Sequence, residues 1–225
     1  MAARRSRDRD VVYGRNAVAE AERGRRRVHR VWRAPDVDGA ELARLAGSPD
    51  HQGVVAEVDP YPYADPASLL GAPDALVVAL DQVQDPRNLG AVCRAAEVAG
   101  AAGVVVPARR AAAITAAACK ASAGAVEHLA VARVRNLAEW LGEAKRAGAW
   151  VYGASAGAPT RYDSIDWGGR TVLVLGGEGK GIRPRVEGMC DATIAIPQRG
   201  RVGSLNVAAA ASVLLFEAAR RRDLA

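Results

Sequence analysis

DQVQDPRNLGAVCR, residues 81–94, follows the apolar run ALVVAL at 75–80 without a break and leads into a helical pattern at 89–99. A buried run, a polar turn and then a helix make a strand–loop–helix unit. Loops at the carboxyl end of such strands are where ligands gather in open α/β sheets. Asn88 is a suitable N-cap for the helix. Arg94 falls in the second turn of the otherwise apolar LGAVCRAAEVAG, where an uncompensated guanidinium is costly, so it calls for an internal carboxylate or a substrate phosphate.

Working outward, short Val-rich runs alternate with helical patterns. Strands are expected at 75–80, 103–106, 130–134, 150–154, 171–175 and 193–196. Helices are expected at 89–99, 114–121, 137–147, 184–189 and from 204 to about 222. This order implies an α/β fold with a mostly parallel sheet covered on both faces. The last helix is apolar almost all round between 207 and 216, so it should be buried or pressed against a partner chain. Upstream, residues 11–57 read as a small α/β unit, with helices at 15–23 and 40–45 and strands at 28–32 and 53–58. Pro60, Pro62, Pro66 and Pro73 then interrupt both periodicities. The expected division is a basic tail at 1–10, a small domain at 11–59, a linker at 60–73 and a larger domain at 74–225.

Composition narrows the function classes. Half of the 225 residues are hydrophobic, enough for one substantial core and an appendage. The apolar stretch at 207–216 is half of what a bilayer crossing requires, and the first ten residues carry no apolar run, so no membrane association is expected. Three widely spaced cysteines, Cys93, Cys119 and Cys190, offer neither a disulfide framework nor a zinc ribbon and suit a reducing cytoplasm. His29, His51 and His128 form no ligand spacing, and no metal is expected. Of the formal charge of +6, residues 1–33 hold +7, eleven arginines against four carboxylates; the other 192 residues sum to −1. Clustered charge of this kind suits a polyanion, with Arg15, Arg25, Arg26 and Arg27 the candidate contacts; an arginine-rich solubilising tail is the alternative.

Two further motifs follow strands. VLGGEGKGI at 174–182 is glycine-rich, but it lacks both the P-loop's first glycine and its Ser or Thr, and Gly177, Gly179 and Gly181 do not keep the dinucleotide spacing. Bare backbone there suits a nucleoside-like cofactor, and a simple turn is the alternative. In IAIPQRGRVGSLNV at 194–207, a strand ends, a polar loop follows and Ser204 is placed to cap the last helix. Capping by Ser204 does not explain Asn206, a poor helix former at the head of an apolar helix.

In order, spacing and wording, D-x-V-x-D-P-x-N-x-G-A-x-x-R-A-A, G-x-E-G-x-G and I-P-x-x-G-x-x-x-S-L-N-V resemble the SpoU (TrmH-like) family of the SPOUT superfamily. The resemblance covers about residues 75–222. YGRNAV at 13–18 and HQGVVA at 51–56 resemble the N-terminal RNA-binding domain of bacterial 23S rRNA guanosine 2′-O-methyltransferases. In this chain that domain is shortened between Trp32 and Asp38, and Asn16 stands where the subgroup has histidine. The resemblance implies a deep trefoil-knotted methyltransferase domain, an exception to the rule against knots, and a homodimer packed through the knot. It implies S-adenosylmethionine held by Gly176, Ile196 and Leu205, with Leu175 and Gly177 beside them. It also implies methylation of a ribose 2′-hydroxyl in 23S rRNA, with Arg94, Asn88, Glu178, Ser204 and Asn206 as catalytic residues. Asn88, Ser204 and Asn206 would orient Arg94 and the ribose. A tRNA substrate, an antibiotic-site adenosine, or a silent RNA-binding role are the alternatives.

Overall fold

The computed structural model describes residues 9–223; residues 1–8, and with them most of the expected basic tail, lie outside the described residues. The chain opens on strands β1 (Asp10–Tyr13), β2 (Val28–Arg33) and β3 (Val54–Val58), which form an antiparallel sheet in the order β1-β3-β2. Helix α1 (Arg15–Arg23) turns Ala17, Val18 and Ala21 inward, and α2 (Gly39–Ala46) inserts Leu42. Asp38 caps α2 by accepting from the amides of Ala40 and Glu41.

Seven further strands are β4 (Leu76–Asp81), β5 (Gly103–Pro107), β6 (Val131–Val134), β7 (Trp150–Ala154), β8 (Thr160–Arg161), β9 (Thr171–Gly176) and β10 (Ala192–Ala195). They form a parallel sheet in the order β6-β5-β4-β9-β7-β10-β8. Between them run helices α3 (Pro86–Val98), α4 (Ala116–Ala121), α5 (Leu137–Arg146) and α6 (Pro184–Glu187), and α7 (Val207–Arg222) follows the last strand. The continuous apolar runs of the sequence serve two cores at once, because successive side chains in a strand point to opposite faces. Leu76, Val78 and Leu80 join Leu89, Leu214 and Leu215 on one face, and Val77 and Ala79 join Leu137, Trp140 and Leu141 on the other.

The small sheet shares the first of these cores: Val12, Val18, Val54 and Val58 belong to the same cluster as Val78 and Leu215. A buried ion pair joins the two units. Arg26 donates to both carboxylate oxygens of Glu127, and both side chains are almost fully buried. The expected linker is docked as well. The Tyr61 hydroxyl lies 3.0 and 3.1 Å from the carbonyls of Val126 and Leu129, and residues Pro66–Leu70 form a short 3-10 helix that buries Leu69 and Leu70. Proline tolerates this turn because it stands in the first position, where no amide donor is needed.

Two caps differ from expectation. Helix α3 begins at Pro86, with Asp85 accepting from the amide of Arg87 at 2.8 Å, so Asn88 is its third residue and not its cap. Helix α7 begins at Val207, and its cap is Asn206, not Ser204: Asn206 Oδ1 accepts from Ala208 N at 2.8 Å. That accounts for a poor helix former at the head of an apolar helix. Strands β1 and the two-residue β8 are additions to the expected elements, and α4 starts at Ala116, two residues later than expected.

Candidate active site

Strands β4, β9, β7 and β10 are adjacent and parallel, so their carboxyl ends deliver three loops to one edge: 82–85, 177–181 and 196–206. The first two touch. Gly177 N donates to Asp81 O at 2.8 Å, and a Cβ on Gly177 would lie 2.4 Å from the Gln82 carbonyl, so only glycine permits the approach. At Gly176 a Cβ would lie 2.0 Å from the Gly181 carbonyl carbon. The loop turns back onto its own origin, with Gly181 N donating to Gly177 O at 3.1 Å.

Three side chains from the three motifs meet at this junction. Asn88 Nδ2 donates to Glu178 Oε1, while Asn206 Nδ2 lies 3.3 Å from the same oxygen and 3.1 Å from Asn88 Oδ1. As cap residue, Asn206 has its own Oδ1 committed to the helix, which turns its amide group toward Glu178. The third-residue position of Asn88 frees its side chain for the same purpose. Both amides go to Oε1, and Glu178 Oε2 has no hydrogen-bond partner among the described residues.

Two cavities flank this network. The larger is lined by Leu175, Gly176, Gly177, Ile196 and Leu205, all five expected cofactor contacts, and by Glu178, Ser204 and Asn206. Its walls are mixed: Ile182, Ile194 and Leu214 stand beside backbone of the glycine loop, with Lys180, Glu187 and Gln198 also among the lining residues. Apolar side chains and bare backbone together with two carboxylates, Glu178 and Glu187, fit a flat nucleoside that carries positive charge. The smaller cavity opens on the other side of Glu178, between Gln82, Val83, Asn88 and Lys180.

A pair that the motifs did not single out holds this edge together. Asp81, fully buried at the end of β4, accepts from Arg183 N at 2.8 Å and from the Arg183 guanidinium at 2.6 and 2.9 Å. Arg183 follows the glycine loop directly, so the clamp fixes both ends of that loop to β4. An aspartate closing an apolar strand was the available signal, since a buried carboxylate requires a partner.

Other expected residues stand elsewhere. Arg94 is exposed on α3, six residues beyond Asn88 and so about 9 Å along the helix axis. It has no ion pair or hydrogen bond among the described residues, and the network does not orient it. Its exposure removes the burial cost inferred from the sequence and leaves it free for an external anion. Arg26 cannot be an RNA contact, because its guanidinium is consumed by Glu127 in the core. Arg25 is tied to the carbonyls of Glu127 and Leu129, at 3.2 and 2.6 Å. Arg15 holds the Gln52 carbonyl at 3.3 Å. Arg27 is exposed, with no side-chain hydrogen bond among the described residues and Asp59 as its nearby carboxylate. Cys93, the thiol within the first motif, is core: burial pushes it well above the ordinary thiol range. Among the described residues no cluster of three His, Cys, Asp or Glu side chains suits a metal, and no helix is long and apolar enough to cross a membrane.

Residues 36–64 match the family described as RNA 2'-O ribose methyltransferase substrate binding. The chain is 38% identical to YacO of Bacillus subtilis, named a TrmH family tRNA/rRNA methyltransferase, over 97% of this chain and 98% of YacO. It is 39% identical to an uncharacterized tRNA/rRNA methyltransferase of Mycobacterium avium, over 98% of this chain and 80% of that one. Among solved structures it is similar to the SpoU methyltransferase AviRb of Streptomyces viridochromogenes in complex with AdoMet, with a TM-score of 0.81 and 26% identity over 96% of this chain and 91% of AviRb. An AdoMet-bound rRNA methyltransferase of Sinorhizobium meliloti gives a TM-score of 0.83 and 25% identity over 97% of this chain and 88% of that one. Residues 75–216 match the SpoU rRNA Methylase family over well over half of the chain, and the chain belongs to that family.

Proposed function

We propose that this protein transfers a methyl group from S-adenosylmethionine to the ribose 2′-hydroxyl of a guanosine in 23S rRNA, as a cytoplasmic homodimer with the trefoil threading of its family. The observation that carries the reading is the Asn88–Glu178–Asn206 network between two cavities. A nucleoside cofactor fits the larger cavity, held by backbone of Leu175, Gly176, Gly177, Ile196 and Leu205, and the target ribose fits the smaller one. S-adenosylmethionine supplies an electrophilic methyl group on a sulfonium centre.

The work of this chain is to place the hydroxyl in line with that methyl group and to stabilise the oxygen as it sheds its proton. The two amides hold Glu178 Oε1 and leave Oε2 to accept a ribose hydroxyl, while Ser204 borders the cofactor cavity on the far side of Glu178. Arg94, protonated as guanidinium is in proteins and exposed beyond the network, fixes a substrate phosphate and so positions the ribose. Val213 and Phe216, exposed on α7, supply the face for a second copy.

The test is methyl incorporation from labelled cofactor into bulk rRNA and bulk tRNA, followed by mapping of the alkali-resistant linkage. Label at one guanosine of 23S rRNA is the expected result. Label in tRNA, or at an adenosine, would move the enzyme to that substrate. RNA binding without any label would make it a silent binder.

A further inference from the structure

Charge counted along the sequence places the excess at the N-terminus, but the fold makes a second basic surface. Between residues 98 and 138 the chain has five cations, Arg109, Arg110, Lys120, Arg133 and Arg135, and a single carboxylate, Glu127. That carboxylate is buried against Arg26 and neutralises nothing outside. Arg109 and Arg110 lie in the loop after β5, and Arg135 directly follows β6. All three are exposed, with no ion pair or hydrogen bond among the described residues.

These loops lie beside the active site. Ala108 N donates to Val134 O at 2.8 Å, which sets the arginines of the two loops side by side. Ala112 N donates to Val83 O at 2.8 Å, joining the same loop to a wall of the smaller cavity. Arg110 adopts φ 59°, a left-handed conformation uncommon for a bulky residue. Neighbouring strands are about 4.8 Å apart, so the arginines extend roughly 10 Å sideways from the end of β4. Arg133, stacked on Tyr63 with 3.8 Å to the ring centroid, lies on the same flank, and Tyr63 accepts from Ile114 N just after the loop.

We infer that Arg109, Arg110 and Arg135 form a phosphate-binding track for single-stranded RNA, gripping nucleotides that flank the one whose ribose enters the smaller cavity. The inference rests on the RNA-methyltransferase reading above and adds the direction in which the strand leaves the site. RNA is the occupant because the surface presents unpaired guanidinium groups without an apolar patch, and phosphates are what such groups bind in the fork geometry.

The test compares the full-length protein with the Arg109→Gln, Arg110→Gln, Arg135→Gln variant. A mixed-sequence single-stranded RNA is titrated at several salt concentrations, and methyl transfer to bulk RNA is measured alongside. Three lost phosphate contacts should flatten the log–log salt slope by about 2, at roughly 0.7 per phosphate. KM for RNA should rise with kcat unchanged, and S-adenosylmethionine affinity should hold. Lysine at the three positions should restore the slope. An unaltered slope in the glutamine variant overturns the track. A wild-type protein that labels no RNA, yet loses its slope in the variant, overturns the methyltransferase reading and keeps the track.

Discussion

Asp81 and Arg183 lie 102 residues apart in sequence, yet three donors of Arg183, its backbone N, Nε and Nη2, converge on the two oxygens of one buried carboxylate. Because Arg183 leaves the glycine loop and Asp81 begins the first motif loop, the pair ties the cofactor side of the site to the substrate side. Arg183→Met strands a buried negative charge and should cost about 3 kcal/mol, the lower end for one-sided removal of such a pair, since Arg183 itself is partly exposed. Asp81→Asn should weaken cofactor binding more than it slows methyl transfer at saturation. Denaturant titration and calorimetry measure the two effects; unchanged values in both would show that the pair holds neither the fold nor the cofactor loop.

Arg26 and Arg27 are neighbours with opposite duties. Arg26→Ala should destabilise the fold by about 3 kcal/mol by leaving Glu127 uncompensated in the core. For a chain of this size that corresponds to a fall in Tm on the order of 10 °C. Arg27→Ala should leave Tm alone and flatten the salt slope of RNA binding by about 0.7, one phosphate's share. A normal Tm for Arg26→Ala would contradict the burial argument.

At Gly176 the added Cβ meets backbone of the same loop, the Gly181 carbonyl and Ile182 N. Gly176→Ala should therefore weaken S-adenosylmethionine binding by deforming the loop. The loop deforms because Gly181 cannot move without breaking its contact with Gly177. Calorimetric affinity equal to that of the wild type would remove the loop from the cofactor site.

Arg94→Ala should lose at least about 100-fold in single-turnover rate with cofactor affinity unchanged, and lysine should not rescue it, because the ammonium lacks the planar fork. Since the side chain is exposed and unpaired, Tm should not move. A rate near wild type in Arg94→Lys would reduce the residue to a point charge.

Val213 is 38% and Phe216 50% exposed, three residues apart on α7, a spacing that puts them on one face. Phe216→Glu should convert the expected dimer to a monomer in light scattering at unchanged helix content. A wild-type protein that is monomeric at micromolar concentration would dismiss the interface.

Much of the main sheet was legible because its strands are buried on both faces and read as unbroken Val and Leu runs, with helical periodicity between them. The errors came where one residue type serves two purposes. Asn88, Ser204 and Asn206 are all good cap formers, and sequence alone does not tell a cap from a side chain turned toward another loop. Only the position of Pro86 at the helix start, and the contact with Glu178, separates them. The arginine run at 25–27 looked uniform, yet Arg26 faces inward, because the glutamate that requires it lies about a hundred residues downstream. The partner of Asp81 is hidden for the same reason, since Arg183 lies 102 residues downstream, and the basic flank beside β5 is assembled from two loops that only the sheet brings together.

The small sheet and the catalytic sheet are closed by one core, with Arg26, Glu127 and the Tyr61 hydroxyl at the seam. Such a joint makes the N-terminal unit a poor candidate for exchange between relatives as a cassette. A graft would have to bring its own counter-charge for Glu127 and a hydroxyl for the Val126 and Leu129 carbonyls. Loop changes around 108–112, by contrast, would alter an exposed rim and leave both the seam and the cofactor cavity intact.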